Sequence, residues 1–147
     1  MNELFGSQNY IDVELFYKIE KTKNGQFFPV PISEDDFNKA KADEKAKDKV
    51  KSLRTKWLMP TWKAANDLLQ AATIYNFHKE EQDVDWNVFR DKRLKTYLIE
   101  WDAKENDGSA IPCNEENINM LHQNIALALL KKYDESTRVS QDEEQKN

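Results

Sequence analysis

The sequence predicts an α+β fold that is mainly α: a β-hairpin over 10–32, about four helices within 34–133, and a disordered acidic tail over 134–147. Three observations carry this. Asn24-Gly25 separates two apolar runs that alternate with period two, the pattern of a half-buried hairpin. Ser33, Asp85 and Asn114 each stand just ahead of apolar residues that recur at spacings of three and four, as helix caps do. From Asp134 onward, "DESTRVSQDEEQKN" holds almost nothing apolar and has no means of offsetting its ordering entropy. With 147 residues and no linker or internal repeat, residues 1–133 are expected to form a single domain.

Along the chain, a two-residue turn at Asn24-Gly25 would set Lys21 against Phe28, Ile19 against Val30 and Tyr17 against Ile32. Val13, Leu15, Tyr17 and Ile19 would then share a face with Phe28, Val30 and Ile32. Pro29 and Pro31 fall at non-hydrogen-bonded pairs, where they blunt the outer edge without harming the hairpin. Ser33 with Asp36 reads as a capping box opening a long, lysine-rich helix, along which Ala46, Val50, Leu53 and Trp57 form a narrow stripe. Met59-Pro60 should end it, and "TWKAANDLLQAATIYNF" is apolar nearly all round, which predicts a central second helix. Asp85 caps "WNVFRDKRLKTYLIEW", with Trp86, Phe89, Leu94, Tyr97, Leu98 and Trp101 on one stripe. Asn114 caps a last helix carrying Ile118, Leu121, Ile125 and Leu129.

Composition excludes several functions. No run approaches the roughly 18 apolar residues of a membrane span, and "MNELFGSQNYID" lacks the pattern of a secretory leader. The lone Cys113 cannot make an internal disulfide, which suits a reducing compartment, and two His with one Cys are too few for a zinc cage. The net charge of −5 conceals a segment, 39–56, with eight cations against Asp43, Glu44 and Asp48. Interleaved acids and the absence of an aromatic platform make that segment a solvated face rather than a nucleic-acid site. Cys113 and His122 need not meet, and no oxyanion device accompanies them. His78 suits a helix end, "DVD" at 83–85 suits a cap better than a divalent ion, and "AKENDGSAIPCN" lacks the first and last ligands of a calcium loop. With three glycines there is no phosphate-binding loop. No catalytic residue, cofactor or metal is therefore expected.

The joint "EWDAKENDGSAIPCNEENINML" is well specified: Trp101 closes a stripe, Asp107-Gly108 turns the chain, Pro112 holds it extended, and Asn114 caps with Glu115 and Glu116 in the first turn. Together with "LMPTWKAANDLLQAATIYN" and "DWNVFRDKRLKTYLIEWD", residues 58–134 resemble tailed-bacteriophage proteins of the tail assembly chaperone type. The resemblance rests on Trp62, Asn66, Arg93, Leu94, Trp101, Asp102, Gly108, Pro112, Glu116, Asn117 and Ile118. It departs from the pattern at Asn114, where Thr or Ser is common, and in the length of the lysine-rich helix.

The resemblance implies a non-enzymatic protein of the infected bacterium's cytoplasm that binds the tape-measure protein and keeps its apolar stripes from aggregating before tube subunits assemble around it. The tail tube protein is a second candidate partner, and a homo-oligomer remains open. A structural tail or baseplate subunit retained in the virion is the alternative. The partner-binding residues expected on this reading are Val50, Leu53, Trp57, Tyr97 and Trp101, against the competing expectation that the same stripes pack inside their own chain.

Overall fold

The computed structural model describes Leu4 and residues 9–137. Among them, about 40% are helical and 32% are in strands, with five α-helices and an N-terminal strand hairpin, so the fold is α+β and not mainly α. Four strands form one sheet in the order β2-β1-β3-β6: β1 (Tyr10–Lys21), β2 (Phe27–Ile32), β3 (Val50–Leu58) and β6 (Leu98–Trp101). Two more, β4 (Thr73–Asn76) and β5 (Glu81–Val84), form a separate hairpin. The helices are α1 (Glu34–Lys41), α2 (Trp62–Ala71), α3 (Trp86–Tyr97), α4 (Glu115–Asn119) and α5 (Gln123–Ser136). The chain divides into two compact units, one of residues 1–12 and 55–120, the other of 13–54 and 121–147.

In the second unit, the N-terminal hairpin lies where expected but one residue out of the expected register. Phe16 pairs with Ile32, Lys18 with Val30 and Glu20 with Phe28, while Tyr17 and Ile19 face Pro31 and Pro29. The turn is the cause. The Thr22 N–H donates to Gln26 O at 2.8 Å and the Gly25 N–H to Thr22 O at 2.9 Å, so the loop holds three residues. Only Gly25 takes a positive φ, at 83°; Asn24 does not, and the two-residue turn that needs both is not formed. A slip of one residue turns every side chain over. Val13 and Leu15 stay buried on one face and Phe16 is buried on the other. Counting outward from the hydrogen-bonded Thr22–Gln26 pair still leaves both prolines at non-hydrogen-bonded positions, on a strand that is the sheet's edge.

The long lysine-rich helix is not formed. Ser33 does cap α1, accepting from the Asp36 N–H at 3.1 Å, but α1 ends at Lys41. A 3₁₀ turn at Lys47–Lys49 follows, and then β3. Leu53, Thr55 and Trp57 are buried while Arg54 is exposed, a strand's period of two. Thr55, polar by type, supplies the missing beat of that alternation. The Trp57 indole N–H donates to its Oγ1 at 2.7 Å, which satisfies both groups away from water. Helix α5 contacts β2, buries Ile125, Leu129, Leu130 and Tyr133, and donates from Asn124 Nδ2 to Pro29 O. It runs through Ser136, so the first three residues of the expected tail are helical; 138–147 lie outside the described residues.

In the first unit, Thr61 caps α2 by accepting from the Ala64 N–H. The helix stops at Ala71 instead of continuing, because the chain passes from Ala, Leu and Gln to the strand-forming run Thr73-Ile74-Tyr75. It is also not central: Leu68 is its sole buried residue. Asp85 caps α3 as expected, accepting from the N–H groups of Asn87 and Val88. The last turn predicted for α3 is instead β6, which pairs with β3 at Thr55–Trp101 and Lys56–Glu100 and then slips by a bulge before Trp57–Leu98. Asn114 caps α4 by accepting from the Asn117 N–H at 2.9 Å, but the helix it opens closes at Asn119, and α5 starts separately at Gln123.

Candidate functional site

Four of the five residues expected to meet a partner are core residues. Val50 and Leu53 are buried in the second unit; Trp57, with no exposed surface at all, and Tyr97 are buried in the first. Val50, Leu53 and Trp57 belong to β3 and Tyr97 to the end of α3, and burial keeps all four from another chain while the fold stands. Trp101 is half-buried, and its indole N–H donates to Ile111 O at 2.6 Å. That bond ties β6 to the far side of the joint.

The joint is a small closed hairpin. The Glu105 N–H donates to Ser109 O, the Gly108 N–H to Glu105 O, and the Ile111 N–H to Ala103 O. Gly108 holds a φ of 89°, and Asp107 Oδ1 accepts from both the N–H and the hydroxyl of Ser109, which pulls the Asp107 carboxyl below its ordinary range. Pro112 O accepts from Asn117 Nδ2, so the proline step and the cap of α4 are locked together. Lys95 reaches Asp91 at 2.9 Å and Glu115 at 3.8 Å, joining α3 to the start of α4. These contacts shape a connector; they do not assemble reacting groups.

Cys113 lies in this connector with its thiol 3.9 Å from Leu98 O. Burial, reinforced by the charge of Glu100, pushes the thiol up to about 11, which keeps it protonated near neutrality and makes it a weak nucleophile. His78 sits between β4 and β5 rather than at a helix end, its N–H donating to Asn76 Oδ1. In the "DVD" run, Asp83 accepts from Asn76 Nδ2 at 3.0 Å and Asp85 is spent on its cap. Among the described residues, no three His, Cys, Asp or Glu side chains are grouped as a metal site would require. The basic segment 39–56 is divided over α1, the 3₁₀ turn and β3. Three of its cations meet acids: Lys47 meets Glu44, Arg54 meets Glu14, and Lys56 meets Glu100. A continuous cationic stripe for phosphates is therefore not built.

What the first unit does display is apolar surface. Of twelve large hydrophobic residues exposed among those described, six fall between 62 and 86: Trp62, Leu69, Ile74, Tyr75, Phe77 and Trp86. Trp62 and Phe77 keep more than four-fifths of their surface in water, at 83% and 82%. The hairpin carries Tyr75 and Phe77 on one side, ring centroids 4.7 Å apart and edge-to-face, while Ile74 projects from the other. Trp86 leans edge-on against Phe89 at 5.5 Å. The expected central helix over 61–77 puts Trp62, Leu69, Ile74, Tyr75 and Phe77 in the core because it takes β4 for helix. The usable signal was the β-branched and aromatic pair Ile74-Tyr75 followed by the acidic run Glu80-Glu81, a strand with a polar return. Comparison with family models, curated proteins and solved structures finds no match for this chain.

Proposed function

We propose that this protein works by holding another polypeptide, as a non-enzymatic tail assembly chaperone that binds the tape-measure protein in the infected bacterium's cytoplasm. One observation carries the reading: the density of large apolar side chains left in water between Trp62 and Trp86, on a unit that does bury Trp57 and Tyr97. Apolar patches of this kind are kept where a partner covers them. The protonated Cys113 thiol and the committed carboxylates of Asp83 and Asp85 are consistent with a binding role rather than a chemical one. The resemblance of residues 58–134 supplies the identity of the partner, and six of its residues divide by burial and place. Leu94 and Ile118 are buried and Trp101, Gly108 and Pro112 build the joint, whereas Trp62 is offered to solvent.

The test is co-expression with the tape-measure protein, which is expected to be soluble and to co-purify with this chain and to aggregate without it. Mass spectrometry of purified virions should find the chain absent. Stoichiometric presence there would identify a tail subunit instead, and a tape-measure protein equally soluble alone would remove the proposal.

A further inference from the structure

Two loops of this chain turn in the same way with different residues ahead of the glycine. In 22–26 the Thr22 N–H donates to Gln26 O and the Gly25 N–H to Thr22 O; in 105–109 the Glu105 N–H donates to Ser109 O and the Gly108 N–H to Glu105 O. Asn24 precedes Gly25 and Asp107 precedes Gly108, and all four are exposed. Each pair places a side-chain carbonyl carbon next to the backbone nitrogen that follows it, with no Cβ on the glycine to crowd an approach. Their surroundings differ. The Ser109 N–H and hydroxyl hold the Asp107 carboxyl below its ordinary range, so near neutrality it is a carboxylate, which resists attack and offers no good leaving group. Asn24 carries a neutral amide, and among the described residues none holds that side chain. The charge differs as well: residues 21–26 hold Lys21 and Lys23 and no acid, whereas 104–109 set Lys104 against Glu105 and Asp107. The Lys21 stem runs beside Gly25, its Cε 3.6 Å from where a Cβ would stand, while the same position on Gly108 meets nothing within 4 Å.

We propose that Asn24 is a self-modifying site, converted to aspartate and isoaspartate by attack of the Gly25 nitrogen within a cationic loop, while Asp107 in the matching loop stays as made. The inference is independent of what the protein binds. Water is the co-reactant and nothing is oxidised or reduced. The Gly25 nitrogen, its proton taken by a base of the solvent, forms a bond to Asn24 Cγ; the Cγ–Nδ2 bond breaks, and Nδ2 takes a proton from solvent and leaves as ammonia. The cyclic imide then adds water. Opening at Cγ gives aspartate, and opening at the backbone carbonyl carbon gives isoaspartate, whose main chain is longer by a methylene. Negative charge gathers on the Cγ oxygen during attack, where Lys21 and Lys23 favour it; at Asp107 the carboxylate and Glu105 oppose it. The Gly25–Thr22 hydrogen bond must open first, and its small net worth slows the folded loop only about fivefold relative to the unfolded chain.

Peptide mapping of the full-length chain held at mildly alkaline pH tests this, with the same chain in urea as the reference clock. Aspartate and isoaspartate are expected to accumulate at 24, the latter confirmed by enzymatic methylation of its carboxyl group, at about one-fifth of the rate in urea, with residue 107 unchanged. Asn24→Gln should abolish the conversion, because the longer side chain closes a less favourable ring. Lys21→Gln/Lys23→Gln should slow the native reaction about threefold, the effect of exposed cations on a nearby charge, and Lys21→Arg/Lys23→Arg should restore the parent rate. Isoaspartate lengthens the loop that sets the register of β1 on β2, so the isolated isoaspartate form should melt below the Asn24→Asp variant, whose loop keeps its length. An Asn24 amide intact in the folded chain once the urea sample has converted, isoaspartate forming at 107 as fast as at 24, or a Lys21→Gln/Lys23→Gln rate equal to the parent's would each overturn the proposal. The first two outcomes are read on the parent chain and hold however the variants fold.

Discussion

Gly25 and Gly108 occupy the same corner twice over: in each loop the glycine N–H donates to the residue three before it, and that residue's N–H donates to the one just past the glycine. At both, φ is positive, 83° and 89°. A Cβ on Gly108 would meet nothing within 4 Å, and on Gly25 only the Lys21 side chain at an ordinary 3.6 Å. Replacement is therefore costly through conformation and not through crowding. Gly108→Ala should lower stability by about 1–2 kcal/mol and Gly108→Asn by less, measured as urea midpoints, because Asn tolerates the left-handed region. Trp57 has the opposite character, wholly enclosed, and Trp57→Ala should cost about 3–5 kcal/mol. Cys113 gives a pH signature. Its folded value of about 11 lies above the ordinary 9.0, so the folded state holds the thiol proton more tightly than the unfolded chain does. The stability this contributes is complete below pH 9 and is lost as pH climbs from 9 through 11. Tyr97, raised by burial from 10.0, acts in the same sense. Cys113→Ala should flatten part of the alkaline decline in thermal midpoint, and iodoacetamide should alkylate native Cys113 slowly until the pH passes 10.

Helix starts were the most legible elements, since a cap is one side chain reaching one or two nearby N–H groups, and Ser33, Asp85 and Asn114 each do so. Asp85→Ala should cost about 1 kcal/mol, checked by denaturant titration. Helix ends were the least legible. Tyr97 and Trp101 lie four apart, a spacing that continues the α3 stripe, yet the chain straightens at Leu98 to pair with β3, because sheet hydrogen bonds to a distant strand outweigh local spacing. The same competition hid β3, where Ala46, Val50, Leu53 and Trp57 imitate a helix and Thr55 carries the strand's beat. Those misread ends also misplaced the candidate surface: residues assigned to a wet helix became core, and residues assigned to the core became the exposed hairpin. The edge of β2 was legible from its prolines alone. Pro29→Val with Pro31→Val restores two outward donors on an edge strand, and sedimentation velocity should then show concentration-dependent self-association beyond that of the parent chain.

At the scale of the whole chain, charge speaks against nucleic acid. The balance is −5, and the +5 of residues 39–56, already net of Glu44, is spread over three elements and met from outside by Glu14 at Arg54 and Glu100 at Lys56. Gel-shift titration with duplex DNA should show no complex even at low salt, where phosphate contacts are strongest. The two compact units are discontinuous in sequence, each built from an early and a late stretch. That interleaving has a consequence during synthesis on the ribosome. The first unit has all of its residues once Met120 has emerged, but the second must wait for α5, although β1 and β2 are made well before it. Until residues 123–136 leave the exit tunnel, β2 lacks the helix that packs on it, so a nascent chain stalled after 120 should be cut readily by protease within 13–54, and one with α5 outside the tunnel should resist.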